Sequence, residues 1–387
     1  MRRPPIKLFL VDESVRHRPN VCAFLRNYPR VPVKIVPAGQ TIQALLTKKN
    51  ISPDRTVYSL AEPKGKNLKK CQGMTEHYLC CQLHILDQSE NCPFSCSYCF
   101  LQNYLSQSIT AISMRFDPLF KEVQETVGAE PRRLFRIGTG ELSDSLALDP
   151  LTGFSRKAVP FFSSLPNALL ELKTKSDRVE QLLNLHHGGR TVISWTLNPP
   201  AVARREERGA ASPSARLEAA RKTAAAGYKI AFHFDPLIHY PGFEKDYALL
   251  VRQMFDAVPV EKIAWVSLGS LRYPPEMQQT VLDRFPGSGI AVGEMVRGYD
   301  GKMRYFKPIR HRLYETLRAA LEGGGAGLFL YFCMENAETW RKFLGWAPKN
   351  NADFDFRFAR HLCRKFPGLM PAPPKPDDYR VAPDPAA

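Results

Sequence analysis

The sequence has no long apolar run, and this limits the classes of protein it can encode. No apolar stretch approaches the roughly 20 residues that a membrane-spanning helix needs. The run Leu8-Phe9-Leu10-Val11 is too short for the hydrophobic part of a secretion signal. We therefore expect a soluble, cytoplasmic protein that has no membrane partner. With 387 residues, 44% of them hydrophobic, the chain is long enough to bury a large core.

A regular disulfide framework is also missing. The chain has nine cysteines, and three of them fall within a single short motif. Secreted domains that depend on disulfides space their cysteines differently, so this usage favours a reducing cytosolic setting.

Acidic residues are scarce relative to basic ones. The chain has 38 Asp and Glu against 54 Lys and Arg, which gives a formal net charge of +16. A generally basic, solvated surface is the plainer explanation, but a polyanionic partner such as DNA or another nucleic acid also fits. One run without acids favours the nucleic acid, because it interleaves cations with aromatic residues: Lys302, Arg304, Tyr305, Phe306, Lys307, Arg310, His311 and Arg312. We expect phosphate contacts from these cations.

The most informative stretch holds Cys92, Cys96 and Cys99 in the spacing C-x3-C-x2-C. Its turn-forming Asn91 and Pro93 favour a tight loop on which three thiolates converge on a metal or an iron–sulfur cluster. A structural zinc site normally has a fourth ligand nearby, and a disulfide would leave one cysteine over. The spacing therefore favours a cluster, with zinc and coincidence as the alternatives.

Three segments follow from the pattern of apolar residues and turns. Residues 1–75 predict a small α/β unit with strands at 7–11 and 33–36, a helix at 41–48 and a basic connection at 64–70. Residues 76–345 alternate predicted strands with helices, which implies a parallel sheet, open or closed into a barrel. The strands are expected at 78–85, 134–137, 168–174, 191–197, 229–234, 262–268 and 327–332, and the clearest helix at 213–226 with Ser212 as its N-cap. Residues 346–387 form an extension, and its proline-rich part from about 371 predicts a disordered or draped tail.

Polar motifs follow several of these strands, where active sites of such sheets gather. Gly138-Thr139-Gly140-Glu141-Leu142-Ser143-Asp144 follows the strand that ends at Ile137. Its glycines let a ligand approach the backbone, and Glu141 can receive an ammonium group. Lys173-Thr174-Lys175 and Trp195-Thr196-Leu197-Asn198 end two further strands.

Candidate substrate residues follow later strands. His233, Asp235 and Tyr240 suit substrate recognition or proton transfer, although a polar pair at the rim is an equal alternative. Arg272 suits a contact with a phosphate or a base. The remaining candidates are the cations Lys302, Arg304, Lys307 and Arg310.

The cysteine motif, with Tyr98 before its last cysteine, resembles the signature of radical S-adenosylmethionine (SAM) enzymes. The turn at 138–144 resembles the turn that binds the amine of SAM in that superfamily. The order of segments over residues 75–345 resembles one subgroup, the spore photoproduct lyases. The resemblance implies a partial (β/α) barrel behind a small N-terminal α/β unit.

The same resemblance implies a function. Cys92, Cys96 and Cys99 would hold a [4Fe-4S] cluster, fed by an electron donor such as flavodoxin or ferredoxin. The implied SAM contacts are Gly138, Thr139, Gly140, Glu141, Ser143, Lys175, Thr196 and Asn198. A 5′-deoxyadenosyl radical would then abstract hydrogen from a thymine lesion in DNA, and the lesion would fragment to two thymines.

Two positions depart from the lyase pattern. Glu141 stands where the lyase has a cysteine that donates hydrogen to the product radical, and a carboxylate cannot replace it. Tyr98 keeps one of two relay tyrosines, whereas Phe100 replaces the other. Two alternatives therefore remain: a radical SAM enzyme that consumes SAM on a small molecule, and a nucleic-acid-binding protein with a structural metal site. Cys71, Cys80, Cys81 and Cys333 could in principle substitute for the lyase cysteine, but nothing in the sequence places them at the site, and we expect Cys333 in the core.

Overall fold

The computed structural model describes residues 6–37, 56–63, 65–71, 75, 77–81, 83–105, 109–290, 293–323 and 327–379. The helix predicted at 41–48 and the end of the tail at 380–387 lie outside these residues. The strands are β1 (Leu8–Asp12), β2 (Val33–Val36), β3 (Val57–Ala61), β4 (Leu68–Lys70), β5 (His84–Leu86), β6 (Ser89–Glu90), β7 (Ser95–Cys96), β8 (Thr110–Ser113), β9 (Phe135–Gly138), β10 (Ala168–Thr174), β11 (Thr191–Thr196), β12 (Glu207–Arg208), β13 (Lys229–Leu237), β14 (Ile263–Ser270), β15 (Arg272–Tyr273), β16 (Met295–Arg297), β17 (Met303–Tyr305) and β18 (Leu330–Phe332).

The helices of the described residues alternate with these strands over most of the chain. They are α1 (Pro19–Arg26), α2 (Leu101–Tyr104), α3 (Asp117–Ala129), α4 (Asp149–Thr152), α5 (Phe154–Ser163), α6 (Pro200–Glu206), α7 (Pro213–Ala225), α8 (Phe243–Ala257), α9 (Met277–Arg284), α10 (Lys307–Glu322), α11 (Ala337–Leu344) and α12 (Asn351–Lys365), with two short 3₁₀ turns at Val260–Lys262 and Pro376–Tyr379. None of these helices is both long and apolar enough to cross a membrane.

An eight-stranded sheet in the order β18-β14-β13-β11-β10-β9-β5-β4 forms the main body and curls into a half-barrel. All its pairs are parallel except β4 with β5. Strands of a parallel sheet are covered on both faces, and accordingly every residue of β11 and β14 is buried. The predicted fold class, a partial (β/α) barrel, is confirmed.

A second sheet carries the N-terminal unit, with the strand order β2-β1-β3-β8-β6. Its own core packs Phe9 and Tyr58 against Phe24 of α1. Strands β6 and β8 come from residues 89–113, beyond the first 75 residues. The strands that flank the cysteine motif therefore belong to this sheet, and they connect it to the half-barrel.

Local signals predicted some elements well. Helix α7 covers the expected range, and the Ser212 hydroxyl accepts its N-terminal bond from the Ala215 N–H at 3.2 Å. The strand expected at 78–85 was wrong, because regular pairing there is limited to His84–Leu86. Tyr78 and Leu79 make only isolated bridges, so this apolar run serves side-chain packing rather than a full strand.

The proline-rich tail packs further than its composition predicted. Tyr379 is buried, and its hydroxyl accepts a hydrogen bond from the Leu134 N–H at 3.0 Å, one residue before β9 begins. Asp378 forms an ion pair with Arg132 at 3.6 Å. For residues 371–379 the prediction of disorder was therefore wrong. The alternative prediction, a tail draped over the protein, fits this range.

Candidate active site

A cavity of about 570 Å³ opens at the carboxyl ends of the half-barrel strands. Strands β9, β10, β11 and β13 each contribute residues to its wall, as does the cysteine loop between β6 and α2. Parallel strands present their carboxyl ends at one edge, so turns that are distant in sequence meet there. The cavity is the place where most of the predicted site residues come together.

Cys92, Cys96 and Cys99 all line this cavity. Their loop is held in place by β12, which pairs antiparallel with β7 and so fixes Cys96 opposite Glu207. Inside the loop the Cys99 N–H donates to the Cys96 carbonyl at 3.2 Å, which keeps the turn tight. Asn91 adopts a left-handed conformation with φ of 64° directly before Cys92.

Two buried carboxylates hold the same loop from behind. The Ser97 hydroxyl donates to Glu206, and the Tyr98 hydroxyl donates to Glu207. Glu207 is also paired with the fully buried Arg216. Buried carboxylates are tolerated only when they are fully hydrogen-bonded, so this arrangement fixes the loop firmly. No local pattern could predict the contact between Tyr98 and Glu207, because the two residues are 109 positions apart.

The three thiols suit an iron–sulfur cluster by their chemistry. Burial raises the pKa of Cys96 to about 12, although the nearby Lys175 ammonium lowers it in part. Burial also raises the pKa of Cys92. Such thiols lose their protons only to a metal that compensates the charge, and soft thiolates favour iron–sulfur centres. Among the described residues, no three His, Cys, Asp or Glu side chains are arranged around a single metal ion.

The turn at 138–144 lies against the cysteine loop. The Ser143 hydroxyl donates to the Asn91 carbonyl at 2.8 Å, and Gly140, Glu141 and Ser143 line the cavity. Burial raises the pKa of Glu141, while the Lys173 ammonium opposes this. Gly138 and Thr139 are not part of the cavity wall.

A close backbone approach explains Gly140. A Cβ at this position would lie 2.7 Å from the Lys173 Cβ and 2.9 Å from the Lys173 carbonyl oxygen. Thr139 instead turns inward and donates to the Ser145 hydroxyl at 2.8 Å. The glycine therefore lets the turn pack directly on the end of β10.

Asp144 joins this turn to the next strand. Its carboxylate accepts bonds from the Thr174 hydroxyl at 2.7 Å and the Lys175 N–H at 2.6 Å. It also accepts the N–H groups of Leu146 and Ala147. Sequence reasoning included Asp144 in the motif but gave it no role, and the structure shows it positioning the backbone of Lys175.

Lys175 and Thr196 line the cavity as expected. The Lys175 Nζ lies 5.5 Å from the centre of the Tyr98 ring. Burial alone would lower the pKa of Lys175, but its electrostatic interactions with the Cys96 thiolate form and the Glu207 carboxylate raise it instead. Asn198 lies behind the wall, where its amide donates to Glu207 at 3.0 Å and accepts from Tyr247 at 2.8 Å.

Four of the candidate substrate residues reach the cavity: His233, Asp235, Arg272 and Lys302. Arg272 pairs with Asp235 at 2.9 Å, and it holds the pKa of that carboxyl well below its usual range even though burial alone would raise it. Tyr240 is not in the wall, and its hydroxyl donates to Asp246 at 2.8 Å.

The basic run at 302–312 is free of acids in sequence but not in space. Arg304 is buried and pairs with Asp300 at 2.6 Å, and its guanidinium lies 4.1 Å from the centre of the Tyr78 ring. Further pairs join Lys307 to Glu338 at 2.9 Å, Arg310 to Glu335 at 3.3 Å and Arg312 to Glu244. Arg304, Lys307 and Arg310 lie outside the cavity wall. The cations of the run are therefore paired with acids in space, and the phosphate contacts expected from them stay a prediction.

Phe100, the second departure from the lyase pattern, also lines the cavity. Its ring packs edge-on against Tyr104 at 5.5 Å between centroids. Four further cysteines, Cys71, Cys80, Cys81 and Cys333, belong to the wall as well. Cys333 is half-buried: it packs against the main core, as expected, and it also lines the cavity.

A half-barrel with a three-cysteine loop at the carboxyl ends of its strands defines a radical SAM enzyme. The family model described as spore photoproduct lyase matches residues 84–322 of the chain. The chain therefore belongs to the spore photoproduct lyase family, whose members are radical SAM lyases with a [4Fe-4S] cluster and SAM as cofactors.

Two curated relatives give the extent of the likeness. The chain is 28% identical to spore photoproduct lyase of Geobacillus sp. (strain Y412MC61) over 238 residues, which are 59% of this chain and 70% of the relative. It is 25% identical to spore photoproduct lyase of Bacillus subtilis (strain 168) over 240 residues, or 60% of this chain and 70% of the relative.

Solved structures show the same fold. A spore photoproduct lyase double mutant with bound AdoMet and dinucleoside spore photoproduct superposes with a TM-score of 0.75 at 21% identity, covering 86% of this chain and 100% of the other. A spore photoproduct lyase complexed with dinucleoside spore photoproduct gives 0.73 at 20% identity with the same coverage.

Proposed function

We propose that the protein repairs a thymine lesion in DNA by radical SAM chemistry, and that the lesion is the spore photoproduct or a close relative of it. One observation carries the proposal: the three motif cysteines line the same cavity as five of the eight residues expected to bind SAM and four of the eight candidate substrate residues. The curated relatives and solved structures named for spore photoproduct supply the substrate class.

In this proposal Cys92, Cys96 and Cys99 hold the [4Fe-4S] cluster, which together with SAM supplies the 5′-deoxyadenosyl radical. Glu206 and Glu207 hold the loop from behind, so that the cysteines keep one geometry when the cofactor binds. An electron donor such as flavodoxin or ferredoxin provides the reducing electron.

In this proposal, different residues around the cluster bind different groups of SAM. Glu141 is the buried carboxylate suited to the amine, and Lys175 is the cation beside the motif. Ser143 and Thr196 supply hydroxyls on the wall between them. Asn198 acts indirectly in this scheme, because its amide already bonds Glu207 and Tyr247.

The substrate side of the cavity is the charged group Lys173, Asp235, Arg272 and Lys302. Cations on such a wall suit the phosphates that flank a lesion. Asp235 holds Arg272 in place, so that the guanidinium presents a fixed direction to the cavity. His233 lies on the same wall, but both of its ring nitrogens already bond protein groups, Ser267 and Glu171, so it shapes the wall rather than binding a base.

The experiment is SAM cleavage by the anaerobically reconstituted protein with and without UV-irradiated DNA. We expect the wild type to form 5′-deoxyadenosine and remove thymine lesions, and Cys96→Ala to do neither because it loses one cluster ligand. Cys363→Ala is the matched control, since Cys363 lies on α12 and not in the cavity wall. Formation of 5′-deoxyadenosine without any change in the DNA would overturn the proposed substrate.

A second candidate keeps the radical chemistry but consumes SAM on a small molecule. The observation that favours it is the pairing of the basic run, since Arg304, Lys307 and Arg310 all face acids and offer no free cationic track for DNA. DNA binding that is weak and insensitive to salt would support this candidate. The enzyme family argues against a binding protein with a purely structural metal.

A further inference from the structure

A second group of cysteine thiols meets on the wall of the cavity. Cys71, Cys80, Cys81 and Cys333 come from three separate segments of the chain, and none of them is in a disulfide. The Cys80 thiol lies within hydrogen-bonding reach of the other three thiols. We call these four residues the second thiol group. The cofactor scheme above gives them no role.

Cys333 brings this group to the cavity surface. Its backbone N–H donates to the Leu268 carbonyl at 2.8 Å, at the end of β18, and its thiol accepts from Arg272 Nη2 at 3.2 Å. The same guanidinium pairs with Asp235 on the proposed substrate side. Cys333 is half-buried, whereas Cys80 is 1% exposed. Both thiols line the cavity, and Cys333 is the more accessible of the two.

The backbone next to Cys333 is held in an unusual conformation. Over the ranges that the structure describes, the non-glycine residues with positive φ are Asn91, directly before Cys92, and Met334, directly after Cys333. Methionine rarely adopts this conformation, and such residues persist where their surroundings fix them, often at functional sites. The next residue, Glu335, holds this backbone in place. Its carbonyl accepts a hydrogen bond from the Leu79 N–H, and its carboxylate accepts one from the Tyr314 hydroxyl.

Thiol chemistry is what the proposed reaction needs at this place. Hydrogen abstraction and fragmentation leave a radical on a product carbon, and this radical must gain a hydrogen atom. An S–H bond is weaker than a C–H or O–H bond, so a thiol gives up its hydrogen atom readily and a carboxylic acid does not. Glu141 therefore cannot supply it.

We propose, on the basis of the function proposed above, that Cys333 donates the hydrogen atom to the product radical and that Cys80 restores it. The Cys333 S–H bond breaks as the product C–H bond forms, which leaves a thiyl radical on Cys333. Cys80 then passes its own hydrogen atom to Cys333. The thiyl radical on Cys80 takes one electron from a one-electron reductant of the flavodoxin or ferredoxin class and one proton from solvent.

The protonation of the group agrees with this order. Hydrogen bonds to the three neighbouring cysteines raise the pKa of Cys80, so it remains a thiol with a hydrogen atom to give. The hydrogen bond with Cys80 lowers the pKa of Cys81 to about 6, against the opposing effect of burial.

The test is turnover in D₂O with UV-irradiated DNA and a thiol-free one-electron reductant. Exchangeable thiols carry deuterium there, so a thiol donor labels the repaired thymine. We expect Cys333→Ala to keep forming 5′-deoxyadenosine while its labelled thymine falls about ten-fold or more, since even a small rise in the barrier for donation has this effect. Cys80→Ala should form labelled thymine at the normal rate in the first turnover. Later turnovers should be slower, because Cys80 is not there to restore the hydrogen atom of Cys333. Cys363→Ala should match the wild type.

Each other outcome decides against the proposal. Wild-type labelling and yield in Cys333→Ala would exclude Cys333 as the donor, while continued 5′-deoxyadenosine formation would show that the proposed function survives. No 5′-deoxyadenosine from the wild type would remove the proposed function and this donor with it. An independent check uses the cofactor-free protein, in which iodoacetamide should modify Cys333 faster than Cys80; an unreactive Cys333 would mean that the thiol does not face the cavity.

Discussion

At the scale of single residues, Glu171 organises the floor of the half-barrel. Its carboxylate accepts from Arg136 at 2.7 Å, from the Ser194 hydroxyl at 2.8 Å and from His233 Nε2 at 2.8 Å. Burial lowers the pKa of His233 to about 4, so the histidine is neutral at pH 7. The carboxylate can only accept, and therefore the ring proton is on Nε2 and Ser267 donates to Nδ1.

This buried histidine predicts how stability depends on pH. Between pH 6.5 and about 4 the unfolded chain protonates His233 but the folded protein does not, so stability falls as pH falls. His233→Gln keeps both hydrogen bonds without titrating. We expect it to lose about 3 kcal/mol less unfolding free energy than the wild type over this range. Urea unfolding at pH 4 to 7 measures the difference.

The exposed His77 provides the control for this series. His77→Gln should follow the wild-type pH profile. If unfolding free energy depended on pH in the same way for the wild type and His233→Gln, His233 would titrate in the folded protein as it does in the unfolded chain. The depressed pKa of Glu171 acts in the same direction but at lower pH, because its contribution is present above pH 4.5 and is lost below it.

Residues of this kind mark the limit of what the sequence could predict. The cysteine motif and the turn at 138–144 were recognisable because their members are neighbours in the chain. Glu171 and Glu207 were not, because each has a key partner far away in the chain: Arg136 is 35 residues from Glu171, and Tyr98 is 109 residues from Glu207. No local pattern separates a buried, bonded glutamate from an exposed one. Glu335, the acid opposite Arg310, is likewise 25 residues away, whereas Asp300 lies only four residues before Arg304, just outside the basic run.

At the scale of elements, the packing of the turn at 138–144 on β10 depends on the absence of a side chain. We expect Gly140→Ala to lower the free energy of unfolding by about 1–3 kcal/mol, since its Cβ would overlap backbone and side-chain atoms of Lys173. The displaced turn should also weaken SAM binding. Thermal unfolding and equilibrium binding of SAM measure the two effects.

Gly128 is the matched control because it lies in α3 and a Cβ there meets no atom within 4 Å. Gly128→Ala should instead raise stability, by about 0.5–1 kcal/mol, through the helix preference of alanine. Equal effects of the two substitutions would show that the turn does not pack on Lys173. Helices and strands with local signals, such as α7, followed the sequence, whereas this contact depends on the sheet.

At the scale of the whole molecule, the C-terminal tail packs on the half-barrel beside the start of β9. Tyr379 fills a buried site beside Arg133, whose guanidinium lies 5.9 Å from the ring centre, and it satisfies the Leu134 N–H. We expect Tyr379→Ala to cost about 3–5 kcal/mol of unfolding free energy, as for other buried aromatic side chains. Tyr379→Phe should cost about 1 kcal/mol, because it removes only the hydrogen bond.

The comparison residue is Tyr299, which is 84% exposed. Tyr299→Ala should leave the unfolding midpoint in urea unchanged. If Tyr379→Ala behaved the same way, the tail would not be docked in solution. Composition could not predict this docking, because the prolines of the tail signal only that no regular helix or strand forms there.

The contact between Tyr379 and Leu134 also has a consequence for the order of events during synthesis. The two residues are 245 positions apart. At about 5–20 residues per second, a ribosome needs roughly 12–50 s to make the intervening chain. The cysteine loop leaves the ribosome earlier still, so the thiols meant for the cluster are present in the cell well before the strand beside them is closed. A cluster inserted before synthesis ends would therefore enter an unfinished barrel, and translation speed sets how long that state lasts.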